Sequence, residues 1–339
     1  MHPHHGVRIL LSNFDIENRY LTAVPGRRLC GTEALWYAVS MTVDPLAYYR
    51  TQSATSDPGT GDRLPAGLPS SGEALAAIVQ GLVIDKDFVG LYGLALGASA
   101  RLGEIDTRYA SDIYERLLGK DDRPLPERRE PEHRFIGSCR DYALLLCSML
   151  RHVGVPARLR FGFATYFSKE PDTYSDHCVC EYWNDEQRRW VLVDANVDQV
   201  VKSKVGVTAN ELDLERDRFV VASDAWRLAR EGKAAPDRFG VPSINIRGLW
   251  FIRGSLMRDL AALNKVEMLP WDYWGIADRT PIDALPSEEM PLLDELARIL
   301  EAPGDLGPLQ ATFARPEFLV PAAIRSFSPL QGEVPVVLR

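Results

Sequence analysis

Cys139, His177 and Asp194 are the residues whose types and order could carry covalent chemistry. A thiolate can attack a carbonyl carbon, an imidazole can take and return its proton, and a carboxylate beside the ring can fix its tautomer and stabilise the imidazolium. Together the three would form a thioacyl-enzyme and pass the acyl group to an amine or to water. Ser138 and Asp141 have the form of a capping box, a hydroxyl at the N-cap with a carboxylate three positions later. Cys139 is therefore expected as the first residue of a helix, where the partial positive charge favours an anion and should lower the thiol pKa. The backbone N–H of Cys139 is then the natural first donor to a tetrahedral oxyanion.

The elements that must position these groups are legible nearby. A helix is expected over 139–153, with Tyr142, Leu146, Met149 and Val153 on one face and Gly154 and Pro156 as its stop. Strand-like runs follow at 157–167, 177–183 and 189–195, the last two joined by the turn-forming Asn184, Asp185 and Glu186. Counting outward from that turn brings His177 and Asp194 close together. One helix followed by an antiparallel meander is an α+β unit. Strand alternation puts Cys178 and Cys180 on one face and His177 on the other. With no C-x-x-C in the chain, the two cysteines read as buried thiols rather than zinc ligands, and no metal site is expected. Cys147 reads as core packing and Cys30 as structural. Asp141 reads as a cap rather than a catalytic acid.

The segment Gly137-Ser138-Cys139-Arg140-Asp141-Tyr142-Ala143, with 150–158 behind it, resembles the cysteine helix of the transglutaminase-like superfamily. Asp176 to Trp183 and Arg189 to Asp194 resemble the strands that carry the histidine and the aspartate in that family, over 133–198 in all. The resemblance implies a papain-like core, a cysteine helix packed on an antiparallel sheet. It implies Cys139 as nucleophile, His177 as general base and acid, and Asp194 as the partner that orients it. It also implies a second oxyanion donor from an upstream side chain, which no residue pattern here singles out. Many relatives carry an aromatic residue just after the histidine; here Cys178 stands there, so a less crowded, less shielded base is expected. Four further residues are candidates for the oxyanion or substrate environment. His133 could form part of the rim, although a surface role suits it better. Glu181 shares the strand face of His177 and could touch a substrate, although a salt bridge suits it better. Trp271 and Trp274 could wall the cleft, against the plainer reading of core aromatics.

The surrounding chain reads as four parts: 1–72, an N-terminal region ending in a loop over 51–72; 73–130, a helical segment packing on the core; 131–200, the catalytic core; and 201–339, a mixed extension that packs on it. Short strands or turns are expected over 7–50, helices from 73 and after 107, a strand passing into a helix over 218–230, and a helix over 248–263. The chain has 339 residues, 46% hydrophobic and 25% charged, which excludes disordered, collagenous and disulfide-scaffold classes. Its net charge of −8 argues against coating nucleic acid. The longest nearly apolar run, 88–100, is too short to span a bilayer, and no signal segment is evident, so a cytoplasmic, membrane-free protein with reduced thiols is expected. His2, His4 and His5 read as a flexible terminus. No phosphate-cradling glycine motif is present, so no cofactor is expected, and amide formation would need an already activated donor. The expected partners are an amide or carrier-bound thioester as acyl donor and an amine or water as acceptor. Two rivals stay open: a peptidase or small-molecule amidase with the same three residues, and a non-catalytic binding protein.

Overall fold

The computed structural model describes residues 44–60, 63–94, 101, 103–168, 170, 172–279 and 281–339. The strand clusters expected over 7–43, the N-terminal histidines, Cys30 and the 95–100 end of the apolar run lie outside these residues.

The first described element is helix α1 (Pro45–Arg50), where short strands or turns were expected. Its sequence signal is Asp44-Pro45: the Asp44 carboxylate accepts from the Leu46 N–H at 3.0 Å, and proline fits the first helical position. The described residues of the expected loop, 51–60 and 63–71, are irregular, but they are no free linker. Ser53, Thr55 and Ser56 are buried, and Ser53 and Thr55 donate to the Glu267 carboxylate, which also pairs with Arg151 at 2.9 Å. Helix α2 (Gly72–Gln80) follows, capped by the Ser71 hydroxyl. Strand β1 (Val83–Asp85), helix α3 (Ala110–Lys120) and strand β2 (Phe135–Gly137) come next; β1 and β2 pair in parallel, Asp85 opposite Gly137.

Helix α4 (Cys139–His152) begins directly after β2. Its apolar positions are buried nearly all round, among residues of α2, α3 and the strands β3 (Ala157–Ala164), β4 (Tyr174–Asn184) and β5 (Arg189–Val193). That is why its hydrophobic stripe is wider than that of a helix facing one neighbour. The chain continues through α5 (Gln199–Val205), β6 (Phe219–Val221), α6 (Ala222–Arg230), β7 (Phe239–Val241), β8 (Ile246–Arg247), α7 (Leu249–Leu263), β9 (Asp272–Tyr273), α8 (Met290–Glu301), α9 (Leu306–Phe313), β10 (Ala323–Ser328) and β11 (Gly332–Val337).

The main sheet runs β6-β3-β4-β7-β8, with β5 also paired to β4. Strand β4 is long enough to pair antiparallel with β3 along its length, and on its other edge with β5 at one end and β7 at the other. Gly162 of β3 sits between His177 of β4 and Val221 of β6. A Cβ there would lie 2.3 Å from the Val220 carbonyl oxygen, so the crossing requires glycine. A second core gathers Phe163, Trp226, Phe251, Leu260, Trp274 and Leu296, binding α6, α7 and α8 to the sheet. The result mixes helices with a largely antiparallel sheet, the α+β content the sequence predicts. Among the described residues, no helix is long and apolar enough to cross a membrane.

Candidate active site

The expected helix start is present. The Asp141 carboxylate accepts from the Ser138 N–H at 2.8 Å and from its hydroxyl at 3.2 Å, closing the capping box. Arg140 neutralises that carboxylate at 3.0 Å, with both side chains fully buried. Asp141 is thus committed to holding the helix end. Cys139 is the first helical residue and stays partly exposed. Its thiol departs from expectation. Burial pushes its pKa up, and the neighbouring His177 draws it down less strongly. The helix terminus and the imidazole therefore offset desolvation rather than produce a free thiolate, because a bare anion in a water-poor site loses more than a partial charge returns.

His177 lies on β4 and is buried. Its Nε2 sits 2.8 Å from Asp194 Oδ2, just past the end of β5. Cys139 is its other polar neighbour, and with Nε2 on the aspartate the nitrogen remaining to face sulfur is Nδ1. Burial alone would lower the His177 pKa, but Asp194 first and Cys139 next outweigh it and lift it well above the ordinary value. A proton leaving the thiol thus finds a base whose cationic form is stabilised. The structure brings Cys139, His177 and Asp194 together in the order thiol, imidazole, carboxylate.

The base is enclosed by rings, contrary to the expectation drawn from Cys178. Phe167 lies 5.0 Å from the imidazole by ring centroids, Tyr166 at 6.2 Å and Phe219 at 6.3 Å, all steeply inclined to it. The shielding comes from the β3–β4 connection and from β6 instead of from the neighbouring residue on β4. Cys178 and Cys180 point into the α4 core, as strand alternation predicts, with Cys147 beside them.

The four peripheral candidates do not join the three. His133 is exposed and faces Asp121 at 3.5 Å. Glu181 is fully buried by Arg158 at 2.7 Å, Arg160 at 3.4 Å and Arg216. Against the cost of burial, those guanidiniums hold its carboxyl well below the usual range. It borders a cavity of about 650 Å³ that none of Cys139, His177 and Asp194 lines. Trp271 packs on Ile84, Ile105 and Ile136 and donates to Asp106 at 3.0 Å. Trp274 is buried in the second core and donates to the Phe318 carbonyl at 2.8 Å. Both are core aromatics, each with its indole N–H satisfied.

Three residues around the site escaped the sequence reading. The Tyr166 hydroxyl donates to Asp194 Oδ2 at 2.7 Å, and burial keeps that phenol neutral. The Asn196 N–H donates to Asp194 Oδ1 at 3.0 Å, and its side-chain Nδ2 donates to Asp85 Oδ2 at 3.0 Å. The spacing of Asp194 and Asn196 offers a weak signal, an aspartate that bonds the backbone two residues on. Nothing local marks Tyr166 or Asp85.

Residues 106–195 match the transglutaminase-like superfamily model. No curated protein matches the chain. One solved structure, a Cytophaga hutchinsonii protein provisionally named a cysteine protease, aligns at 14% identity and a TM-score of 0.23, over 55% of this chain and 50% of that one. This chain thus spans about half the length of that structure, a likeness too slight to carry an argument.

Proposed function

We propose that this chain, whose residues 106–195 are a transglutaminase-like superfamily core, is a cysteine-dependent acyltransferase acting through a thioacyl-enzyme. The observation that carries the reading is the 2.8 Å pair of His177 Nε2 with Asp194 beside a cysteine at a helix N-terminus. Cys139 loses its proton to His177 and adds to the carbonyl carbon of an amide or thioester. The Cys139 N–H, free at the start of α4, faces the developing oxyanion. The intermediate collapses as the C–N or C–S bond breaks, and His177 returns the proton to the leaving amine or thiol. An amine or water then attacks the thioester, giving up its proton to His177; the acyl C–S bond breaks, the acyl group leaves on the acceptor, and His177 returns the proton to the Cys139 sulfur. Amine acceptance gives transfer and water gives hydrolysis; a helix-borne thiol beside an imidazole on the sheet can serve both.

The test exposes the full chain to a panel of peptide carboxamides and acyl thioesters, with and without added primary amine, and weighs the intact protein. The expected result is an acyl adduct on Cys139, absent from Cys139→Ala and discharged faster by amine. Discharge indifferent to amine would instead mark a peptidase or amidase. Iodoacetamide should label Cys139 ahead of the other cysteines; equal labelling with no adduct would support a binding protein and overturn the proposal.

A further inference from the structure

The small parallel pair β1–β2 stands apart from the main sheet, and its register has a chemical consequence. Asp85 lies opposite Gly137, two residues before Cys139, and the Lys86 N–H donates to the Gly137 carbonyl at 2.8 Å. One two-stranded unit thus delivers both the nucleophile's helix and a buried carboxylate to the same place. Asp85 is 6% exposed and Asn196 3%. Asp85 Oδ1 is held by the Asp87 N–H at 2.9 Å and Oδ2 by Asn196 Nδ2 at 3.0 Å. The Asn196 backbone N–H in turn donates to Asp194 Oδ1, while Tyr166 and His177 occupy Oδ2.

We propose that Asp85 and Asn196 are positioning residues that extend Cys139, His177 and Asp194 into a five-member relay, Asp85 holding the Asn196 carboxamide and Asn196 holding the Asp194 carboxylate. The inference rests on the function proposed above. Its logic is one of satisfaction. An ionised carboxylate only accepts, so Asp85 fixes the amide with its nitrogen inward. The cost is visible, because Asn196 Oδ1 is left buried with no partner. A residue kept with an orphaned oxygen is oriented for its other contacts. Through space the Asp85 charge works against the thiolate, raising the Cys139 pKa, so a slowing of Cys139 on loss of Asp85 has to come by way of Asn196. The charged and titratable groups facing Asp85 are Lys86 and Asp87 on its own segment, Cys139 and Tyr142 on α4, and His177 on β4. Burial, and then the Asp87 charge, push the Asp85 carboxyl up to about 6. It therefore changes charge within the working range of a cysteine enzyme, and with it the hold on Asn196.

The experiment follows the iodoacetamide alkylation rate of Cys139 in the full chain from pH 5 to 9, reading the labelled peptide by mass. Wild type should show an inflection near pH 6. Asp85→Asn and Asn196→Ala should each slow alkylation about tenfold at pH 7.5; Asp85→Asn should lose the inflection, Asn196→Ala, which keeps the titrating carboxylate, should lose the rise in rate above pH 6, and Asp85→Glu should keep both. A purely structural role would leave the shape of the profile unchanged, and a superimposable shape in both variants overturns the inference. If Asp85→Asn fails to fold, Asn196→Ala, which keeps the carboxylate and the backbone N–H, decides alone. His177→Ala separates this inference from its premise: unchanged alkylation there overturns the base assignment, whereas a collapse there with unshifted profiles in the other variants overturns only the relay.

Discussion

Asp85→Asn should make the protein more stable at neutral pH, and the size of the gain follows from the site. The Asp85 carboxyl is raised from 3.8 to about 6, first by burial and then by Asp87. A raised acid binds its proton more tightly in the folded state, so stability falls as pH rises between the two values. The penalty is nearly absent at pH 4 and complete above pH 6. Two units at roughly 1.4 kcal/mol each give a penalty of about 3 kcal/mol at pH 7. Asparagine removes it but offers a single acceptor oxygen to the Asp87 N–H and Asn196 Nδ2, which both bond the carboxylate. Losing one such hydrogen bond costs about 1 kcal/mol. The net expectation is a gain of about 2 kcal/mol at pH 7 that disappears at pH 4. Urea unfolding of both proteins at the two pH values measures it from midpoint and slope. A difference between variant and wild type that does not change with pH would refute the reasoning, since it would mean Asp85 is not ionised at a cost in the folded chain. A variant that gains stability while Cys139 loses reactivity has the pattern expected of a carboxylate retained for function.

Asp194→Asn should cut iodoacetamide labelling of Cys139 at pH 7 by about a hundredfold, because a buried imidazolium loses its counter-charge, a loss worth about 3 kcal/mol or more; the labelled peptide measures it. Glu181→Gln should destabilise by about 3 kcal/mol in urea unfolding by leaving the buried Arg158 without its carboxylate partner, since Arg160 keeps Asp259 and Arg216 is half-exposed, while Cys139 labelling stays within about twofold where the protein is folded. Wild-type stability should also fall as pH drops toward and below about 4, since the depressed Glu181 carboxyl stabilises only while ionised. Gly162→Ala should destabilise by about 1–3 kcal/mol, because its methyl meets the Val220 carbonyl; it should also slow Cys139 labelling, because the same residue pairs with His177.

What the sequence determined by itself is local. The capping box, the helix from Cys139, the strands carrying His177 and Asp194 and the inward facing of Cys178 and Cys180 are set by neighbours a few residues apart, and each stands close to where the spacing puts it. What the tertiary structure decided is how much water and which charges each group meets. Burial reversed the expected direction at the Cys139 thiol, because desolvation depends on everything packed around a residue. Glu181 shares a strand face with His177, yet three arginines, one of them contributed from beyond β5, claim it. Phe167 and Phe219, on other elements, enclose the imidazole where Cys178 after the histidine led to the expectation of less shielding. Tyr166 and Asp85 reach Asp194 and Asn196 across folds of the chain that no periodicity records. Composition and spacing could name the candidate groups because their chemistry is intrinsic to the side chains, but their ionisation and orientation are properties of the enclosure.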